Sequence, residues 1–323
     1  MADERLFSKF TVGGQELQNR IVMSPMTRGR CDITEDPFDI KNSLPNERMI
    51  EYYKQRASAG LIITEGTQLS ELGWGWMCAP KINSEAHAKA WKPVVDAVHE
   101  KGGIIYCQLW HLVSTLLCIG TKCRNNDITD FSFHFQGRQS HSSFHPSTNK
   151  IVSASDVKMT SGEAKHISGE HVEHETPTPM TKEEIAEAVQ DFTKAARYAK
   201  EAGFDGVEIH SANGYLLDQF LQSCTNKRAD EYGGSFENRI RFLKEIVEAV
   251  IEEGSFEANR IGFRLSPNGN FGDMGSEDND EMFPYIAKEM NKYGLGKLTR
   301  RNRALYMPVA NAGIPFRSQP SCT

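Results

Sequence analysis

Short apolar runs alternate with longer segments of helical periodicity along much of the chain. The apolar runs lie at 21–24, 61–64, 104–109, 206–210 and 261–265. Segments with apolar residues three and four apart lie at 46–59, 85–101, 181–201, 236–253 and 280–293. This alternation predicts parallel strands joined by crossover helices, and therefore an α/β fold with five recognisable strands.

Local signals mark the ends of some predicted elements. Thr181-Lys-Glu-Glu184 has the spacing of a capping box, so a helix is expected to begin there. Ser235-Phe-Glu-Asn238 predicts another helix start. The segment from Phe10 to Leu17 contains a Gly-Gly pair and resembles a small hairpin, which by analogy would plug the bottom of a barrel.

Composition limits the size of the protein and its partners. The 323 residues are 39% hydrophobic, enough for one main domain of barrel size. A net charge of -6 gives no basic field for a phosphate backbone, so no nucleic-acid partner is expected. The amino terminus lacks an apolar signal core and no apolar run could span a bilayer, so we expect a cytoplasmic protein without membrane contact.

The cysteines and histidines suggest no metal site. The seven cysteines are irregularly spaced without a Cys-x-x-Cys pair, so reduced thiols are expected. Histidines cluster in the middle of the chain, where a solvated loop is a better interpretation than a metal centre. They are His141, His145, His166, His171 and His174.

Each predicted strand ends in polar or small residues that could hold a flat heterocycle. In a closed barrel the carboxyl ends of the strands meet at one mouth, where such residues would form a ring. The alternative is that Gln108 and Arg264 are buried polar groups satisfied by their neighbours. The residues at the strand ends are Pro25, Met26, Thr27, Glu65, Gly66, Thr67, Gln108, His210, Asn213 and Arg264.

The strand at 206–210 carries the most informative of these endings. Side chains alternate along a strand, so Glu208 and His210 face away from Val207 and Ile209. His210 then emerges at the carboxyl end, and Asn213 and Tyr215 follow in the turn. The three polar groups can converge on one small volume, although an ordinary Asn-Gly turn beside a satisfied histidine is the simpler alternative.

Several motifs together resemble the old yellow enzyme family, including its 12-oxophytodienoate reductase-like members. They occur in the family's order over roughly the first 295 residues. The resemblance implies an FMN-dependent NAD(P)H oxidoreductase on a TIM (β/α)8 barrel, which reduces the carbon-carbon double bond of small enals and enones. The motifs are Pro25-Met-Thr-Arg28, Gln108-Leu-Trp-His111, Glu208-Ile-His-Ser-Ala-Asn-Gly-Tyr-Leu216, Asn226 to Ser235 with Asn238-Arg239, and Arg264-Leu-Ser-Pro267.

The resemblance implies a cofactor role for six residues. Thr27 would lie near the flavin O4, and Arg264 would lie at the N1/O2 edge. A permanently charged guanidinium would stabilise the negative charge that two-electron reduction leaves there. The residues implied to contact FMN are Pro25, Met26, Thr27, Gly66, Gln108 and Arg264.

The same resemblance implies the catalytic residues. His210 and Asn213 would hydrogen-bond the substrate carbonyl oxygen, and Tyr215 would protonate the α carbon. A phenol, whose ordinary pKa is about 10, can protonate an enolate-like carbon in a desolvated pocket. Trp110 and Trp76 are candidates for the substrate-pocket wall, with a core role equally open, and either NADPH or NADH would donate the hydride.

One departure from the family pattern follows Leu112. The family continues into Gly-Arg at this point, whereas here the pair occurs only at Gly137-Arg138. Residues 113–136 are therefore expected to be an insertion. Every valine codon begins with GT and one glutamine codon ends with AG, so the segment from Val113 to Gln136 could be an intron read in frame.

The other departure follows Leu295. Gly296-Lys297 can be encoded by a donor-like GGTAAG, and the following residues show no strand-helix rhythm. We therefore expect a barrel domain at 1–295 and a non-homologous tail at 296–323. Comparison of the gene with its transcript tests both intron hypotheses, which ordinary exon at these positions would contradict.

These departures predict an incomplete barrel in which strands six to eight are not recognisable. The loops after strands seven and eight commonly bind the cofactor phosphate. The alternative to an active enzyme is therefore a truncated, mis-spliced family member with little or no FMN binding. A phosphate-substrate lyase or aldolase is a weaker alternative, because it would need a strand-end lysine for a Schiff base and none is present.

Overall fold

The computed structural model describes residues 3–32, 43–70, 73–74, 78–111, 141–144, 150–166 and 170–300. Its strands are β1 (Phe10–Val12), β2 (Gln15–Leu17), β3 (Val22–Met23), β4 (Leu61–Gln68), β5 (Ile105–Trp110), β6 (Val152–Ser153), β7 (Ala164–Lys165), β8 (His171–Val172), β9 (Thr178–Pro179), β10 (Gly206–His210), β11 (Ile261–Leu265) and β12 (Lys297–Arg300). Its helices are α1 (Asp3–Leu6), α2 (Glu47–Lys54), α3 (Glu85–His99), α4 (Lys182–Glu201), α5 (Leu216–Leu221), α6 (Phe236–Glu253) and α7 (Asn279–Met290).

Six strands form one parallel sheet in the order β3, β4, β5, β10, β11, β12. Helices α2, α3, α4, α6 and α7 lie in the crossovers of this sheet. The described part of the chain thus has the strand order of a (β/α)8 barrel that is not closed within these residues, and the predicted α/β barrel class is confirmed. Within the same residues, no helix is long and apolar enough to cross a membrane.

The sixth strand corrects the expectation that strand structure stops at Leu295. Strand β12 pairs in parallel with β11, from Gly262 opposite Lys297 to Leu265 opposite Arg300. Its sequence, Lys-Leu-Thr-Arg, contains one apolar residue and therefore gives no strand signal. Residues 113–136 and 301–323 lie outside the described residues, so the insertion and the domain limits remain predictions.

The main core lies between the sheet and the helices. Ile62, Val207 and Phe263 contribute from the strands, and Trp91 and Phe192 contribute from α3 and α4. The predicted capping box is present, because the Thr181 hydroxyl accepts from the Glu184 backbone N–H while the Glu184 carboxylate accepts from the Thr181 N–H. The helix begins there because two otherwise unpaired N–H groups gain partners.

The predicted amino-terminal hairpin is confirmed as the antiparallel pair β1 and β2. Val12 and Leu17 form a small cluster with Leu61, Ile63 and Tyr106 on the other face of the sheet. Leu61 and Ile63 lie at the start of β4, so the hairpin covers the amino-terminal end of these strands. The carboxyl ends are left for the site described next.

Candidate active site

A cavity of about 450 Å³ lies at the carboxyl ends of β3, β5, β10 and β11. This volume is in the range that small-molecule ligands occupy. All the predicted site residues that the structure describes line it, except the three at the end of β4, which are Glu65, Gly66 and Thr67. Arg28 and Phe271 also line it and were not predicted as site residues. The lining residues are Pro25, Met26, Thr27, Arg28, Gln108, Trp110, His210, Asn213, Tyr215, Arg264 and Phe271.

Gly66 shapes the wall of the cavity through Trp110. A Cβ atom at Gly66 would lie 2.2 Å from an atom of the Trp110 ring, closer than any real contact. Any larger residue at this position would collide with the ring. The need for glycine is therefore steric and not conformational, because the Gly66 backbone is not left-handed. Trp110 is buried against it, and Trp76, the other predicted wall residue, lies outside the described residues.

His210 and Asn213 lie side by side at the end of β10. The Asn213 Nδ2 is 3.3 Å from the His210 Nε2. On the other side of the ring, the Ala212 backbone N–H donates to the His210 Nδ1 over 3.3 Å. In a neutral imidazole this bond leaves the proton on Nε2, so the ring presents a donor toward Asn213 and the cavity.

Tyr215 completes a group of three rings with Trp110 and His210. Its ring centroid is 5.1 Å from each of the other two centroids, in edge-to-face arrangements. Trp110 and His210 are stacked, with centroids 6.1 Å apart. Tyr215 is also the N-cap residue of α5, so its backbone is fixed at the start of a buried helix. The aromatic packing restricts all three side chains before any ligand arrives.

Polar groups that suit a flavin ring lie on the β3, β5 and β11 side of the cavity. The Gln108 Nε2 donates to Glu208 over 2.8 Å, which leaves the amide oxygen as an acceptor for an imide N–H. The Thr27 hydroxyl accepts from the Gly66 N–H over 3.4 Å and keeps its own proton to donate. The Arg264 Nε is buried without a hydrogen-bond partner among the described residues. These residues fit the polar edges of FMN.

The sequence profile of the NADH:flavin oxidoreductase / NADH oxidase family matches residues 5–300. The chain belongs to this family. The resemblance to the old yellow enzyme family is thereby confirmed, and the fold above is that of a family member.

Similar proteins include both plant and protozoan family members. A putative 12-oxophytodienoate reductase 5 from Oryza sativa subsp. japonica is 39% identical over 87% of this chain and 65% of its own length. A probable flavin mononucleotide-dependent alkene reductase from Leishmania infantum is 39% identical over 93% of this chain and 74% of its own length. The chain thus spans about two thirds of the length of the rice relative.

Solved structures of the old yellow enzyme family share the fold. The homologue from Zymomonas mobilis superposes with a TM-score of 0.76 at 38% identity, covering 91% of this chain and 72% of the other. Morphinone reductase superposes with a TM-score of 0.77 at 36% identity, covering 94% of this chain and 74% of the other.

In this family member, Glu65 is buried and does not line the cavity, contrary to the expectation that it would join the other strand endings there. Its Oε2 accepts from the backbone N–H groups of Arg28 and Gly29 over 3.0 and 3.2 Å. The Tyr53 hydroxyl donates to its Oε1 over 3.3 Å. Burial raises the pKa of Glu65 to about 7, although these three donors and the Arg28 charge act in the opposite direction.

The raised pKa of Glu65 predicts a pH-dependent stability that Glu65→Gln removes. Between its ordinary pKa of 4.5 and about 7, the folded chain holds a proton that the unfolded chain has lost. The free energy of unfolding therefore falls as the pH rises through this window, by about 3 kcal/mol. Glutamine can keep the two backbone bonds without a charge, so E65Q should gain stability relative to the wild type as the pH rises.

Urea unfolding followed by circular dichroism at pH 5 and pH 8 measures this effect. The unfolding free energy of E65Q minus that of the wild type should be more positive at pH 8 than at pH 5. An equal difference at both pH values would contradict the assignment of the shift to Glu65.

The histidine-rich part of the chain lies apart from the cavity lining. The His141 and His166 rings are 5.0 Å apart, and the His171 Nδ1 is 3.3 Å from a Glu163 carboxylate oxygen. His145 lies outside the described residues. Among the described residues there is no group of three or more His, Cys, Asp or Glu side chains that could hold a metal ion.

An ion pair and several hydrogen bonds hold the loop of the Asn226 to Arg239 motif in place. Arg228 forms an ion pair with Asp230 and donates to the Met180 carbonyl over 2.7 Å. The Asn226 side chain donates to the carbonyl oxygens of Phe220 and Tyr232, both over 2.7 Å. These bonds fix the loop that leads into α6, and none of these residues lines the cavity.

Proposed function

We propose that this protein is an FMN-dependent NAD(P)H oxidoreductase that reduces the carbon-carbon double bond of α,β-unsaturated carbonyl compounds. The observation that carries the proposal is the meeting of His210, Asn213 and Tyr215 in the same cavity as Thr27 and Arg264. Family membership supports the same chemistry, because relatives are named as alkene and 12-oxophytodienoate reductases.

His210 and Asn213 act as a pair of donors for the substrate carbonyl oxygen. Their nitrogen atoms are 3.3 Å apart, so an oxygen at ordinary hydrogen-bond distance from one can also be reached by the other. Two donors on one oxygen withdraw electron density from the conjugated system and favour hydride addition at the β carbon. They also stabilise the enolate-like charge that develops on the oxygen during addition.

When bound, FMN supplies the hydride chemistry that none of the side chains can perform. Arg264 would hold the edge of the ring that becomes negative on reduction, because its guanidinium is permanently positive. Gln108 and Thr27 orient the polar side of the ring, the first as an acceptor and the second as a donor. Glu208 keeps the Gln108 amide in that orientation.

Tyr215 donates the proton that completes the reduction at the α carbon. Its ring is held perpendicular to His210, beside the pair that binds the carbonyl oxygen. The α carbon is adjacent to the carbonyl carbon, so a donor next to this anchor is suited to reach it. Trp110 forms the wall against which both residues pack.

Either NADPH or NADH would supply the hydride in this proposal. The family description includes NADH, and a solved structure of morphinone reductase is a complex with tetrahydroNAD. The nicotinamide is expected to enter the same cavity as the enone, after which it leaves and the enone takes its place.

Flavin absorbance during one reaction cycle tests the proposal. The purified chain is mixed with FMN, freed of unbound cofactor, reduced with NADPH or NADH without oxygen, and then given 2-cyclohexen-1-one. We expect bound flavin absorbance that bleaches with the nucleotide and returns with the enone. A chain that retains no FMN, or a reduced flavin that the enone does not reoxidise, would refute the function for this chain.

Asn213→Ala tests whether Asn213 acts in the reduction of the enone and not in the reduction of the flavin. Loss of one donor should slow reoxidation by the enone by about ten- to a hundredfold. Reduction of the flavin by NADPH should be less affected, because no negative charge develops on the nicotinamide carboxamide oxygen when the hydride leaves. Equal slowing of both half-reactions would indicate that Asn213 maintains the cavity instead of binding the carbonyl.

A further inference from the structure

The turn that carries Asn213 has an unusual backbone. Asn213 and Gly214 both have left-handed conformations, with φ angles of 60° and 75°. An asparagine tolerates this region better than most residues, but it persists there only when its surroundings hold it. The groups that hold this turn therefore also determine where the Asn213 side chain lies.

Hydrogen bonds connect the backbone N–H groups of Asn213 and Gly214 to one carboxylate, that of Asp218. The Asn213 N–H donates to the Ser266 Oγ over 2.7 Å, and the Ser266 hydroxyl donates to the Asp218 Oδ2 over 3.1 Å. The Gly214 N–H donates directly to the same Asp218 oxygen over 2.8 Å. Ser266 and Asp218 are both buried. One serine and one aspartate thus fix two successive peptide units.

The second oxygen of Asp218 is held in the same way. The Gln222 Nε2 donates to it over 2.9 Å, while the Gln222 Oε1 accepts from the Gly275 N–H over 2.9 Å. Asp218 therefore faces three donors, which favour the ionised form against the burial that raises its pKa to about 6. At neutral pH the carboxylate is a fixed acceptor beneath the turn.

We propose that Ser266 and Asp218 are positioning residues for substrate binding, which set Asn213 beside His210 so that both can donate to one carbonyl oxygen. This inference rests on the proposed function and adds two residues to it. Ser266 directly follows β11 and Asp218 lies in α5, so the β11 strand end and α5 together hold the anchor at the end of β10.

Hydrogen bonds to Ser266 and Asp218 hold the turn that carries Asn213. Asn213 is only half-buried, and the 3.3 Å approach to the His210 ring does not by itself fix the backbone. Removal of the Ser266 hydroxyl would leave the Asn213 N–H without this acceptor and free the turn to leave its left-handed conformation. The donor pair would then separate without loss of either donor.

Ser266→Ala tests the proposal against Ser211→Ala as a matched control. Ser211 is also a buried serine at a strand end, and its hydroxyl donates to the Arg264 carbonyl over 3.0 Å, without a bond to Asn213. Hydrogen exchange of the Asn213 backbone N–H is measured on the chain without cofactor. The KM for 2-cyclohexen-1-one and the rate of flavin reduction by NADPH are measured with FMN bound.

We expect S266A to speed exchange of the Asn213 backbone N–H about tenfold and to raise the KM for the enone about tenfold. The rate of flavin reduction by NADPH should be unchanged. S211A should leave all three values near those of the wild type. Unchanged exchange in S266A, or equal effects of both substitutions, would overturn the proposal.

Asp218→Asn provides a second variant that keeps the size of the side chain. An asparagine there would present an amide donor to Gly214 or Gln222, so exchange at Gly214 and the KM for the enone should both rise. No change in either value would overturn the role of Asp218. If the exchange effects appear but the wild type reduces no enone, the proposed function fails while the positioning of the turn stands.

Discussion

Replacement of Tyr215 by phenylalanine is expected to lower the rate of enone reduction by about 10²- to 10⁴-fold, the usual contribution of a positioned proton donor. Phenylalanine keeps the edge-to-face contacts with Trp110 and His210, so the cavity should keep its shape. The rate of flavin reduction by NADPH should be nearly unchanged, because that half-reaction requires no proton from Tyr215. Stopped-flow absorbance measures the two half-reactions separately.

Tyr232→Phe is the matched control for this prediction. The Tyr232 hydroxyl donates to Glu245 over 3.1 Å and lies outside the cavity lining, so its loss should leave both half-reactions unchanged. If Y215F reoxidises with the enone as fast as the wild type, another group or a water molecule donates the proton.

Gly66→Ala is expected to destabilise the fold by about 1–3 kcal/mol, as overpacking of a tight interior does. The new methyl group would lie 2.2 Å from the Trp110 ring, so the ring must move. The cavity lies beyond that ring, and its displacement should also weaken FMN binding. Urea unfolding and a titration with FMN measure the two effects.

A double-mutant cycle with Trp110→Ala identifies the cause of the Gly66→Ala effect. With the ring removed, the methyl group has space and G66A should cost much less. The same cost in both backgrounds would mean that the methyl group collides with something other than Trp110.

The placement of the main site residues could be predicted from the sequence because parallel strands impose it. If 206–210 is a strand, the side chains of His210 and Val207 lie on opposite faces of it. If the strands are parallel, their polar carboxyl ends meet at one edge of the sheet. The structure brings the endings at Thr27, Gln108 and Arg264 into the cavity lining in this way. The assignment of chemical roles to these residues came from the family resemblance.

The supporting residues could not be predicted because their partners are distant in sequence. In the sequence, Glu65 is one more polar residue at a strand end. In the structure, its carboxylate accepts hydrogen bonds from two backbone N–H groups that lie 36 and 37 residues earlier in the chain. Ser266 acts on Asn213 across 53 residues. The steric requirement at Gly66 arises from the Trp110 ring on the neighbouring strand β5, a contact that no local pattern reveals. These are properties of tertiary contacts instead of local periodicity.

Trp110 gives the molecule an intrinsic optical reporter. It is one of four tryptophans, and it lines the cavity itself, whereas Trp91 lies in the core between sheet and helices. An indole beside a bound flavin loses its emission through energy transfer to the flavin. The packing that restrains His210 and Tyr215 therefore also makes the fluorescence of the chain sensitive to occupation of the cavity, without an added label.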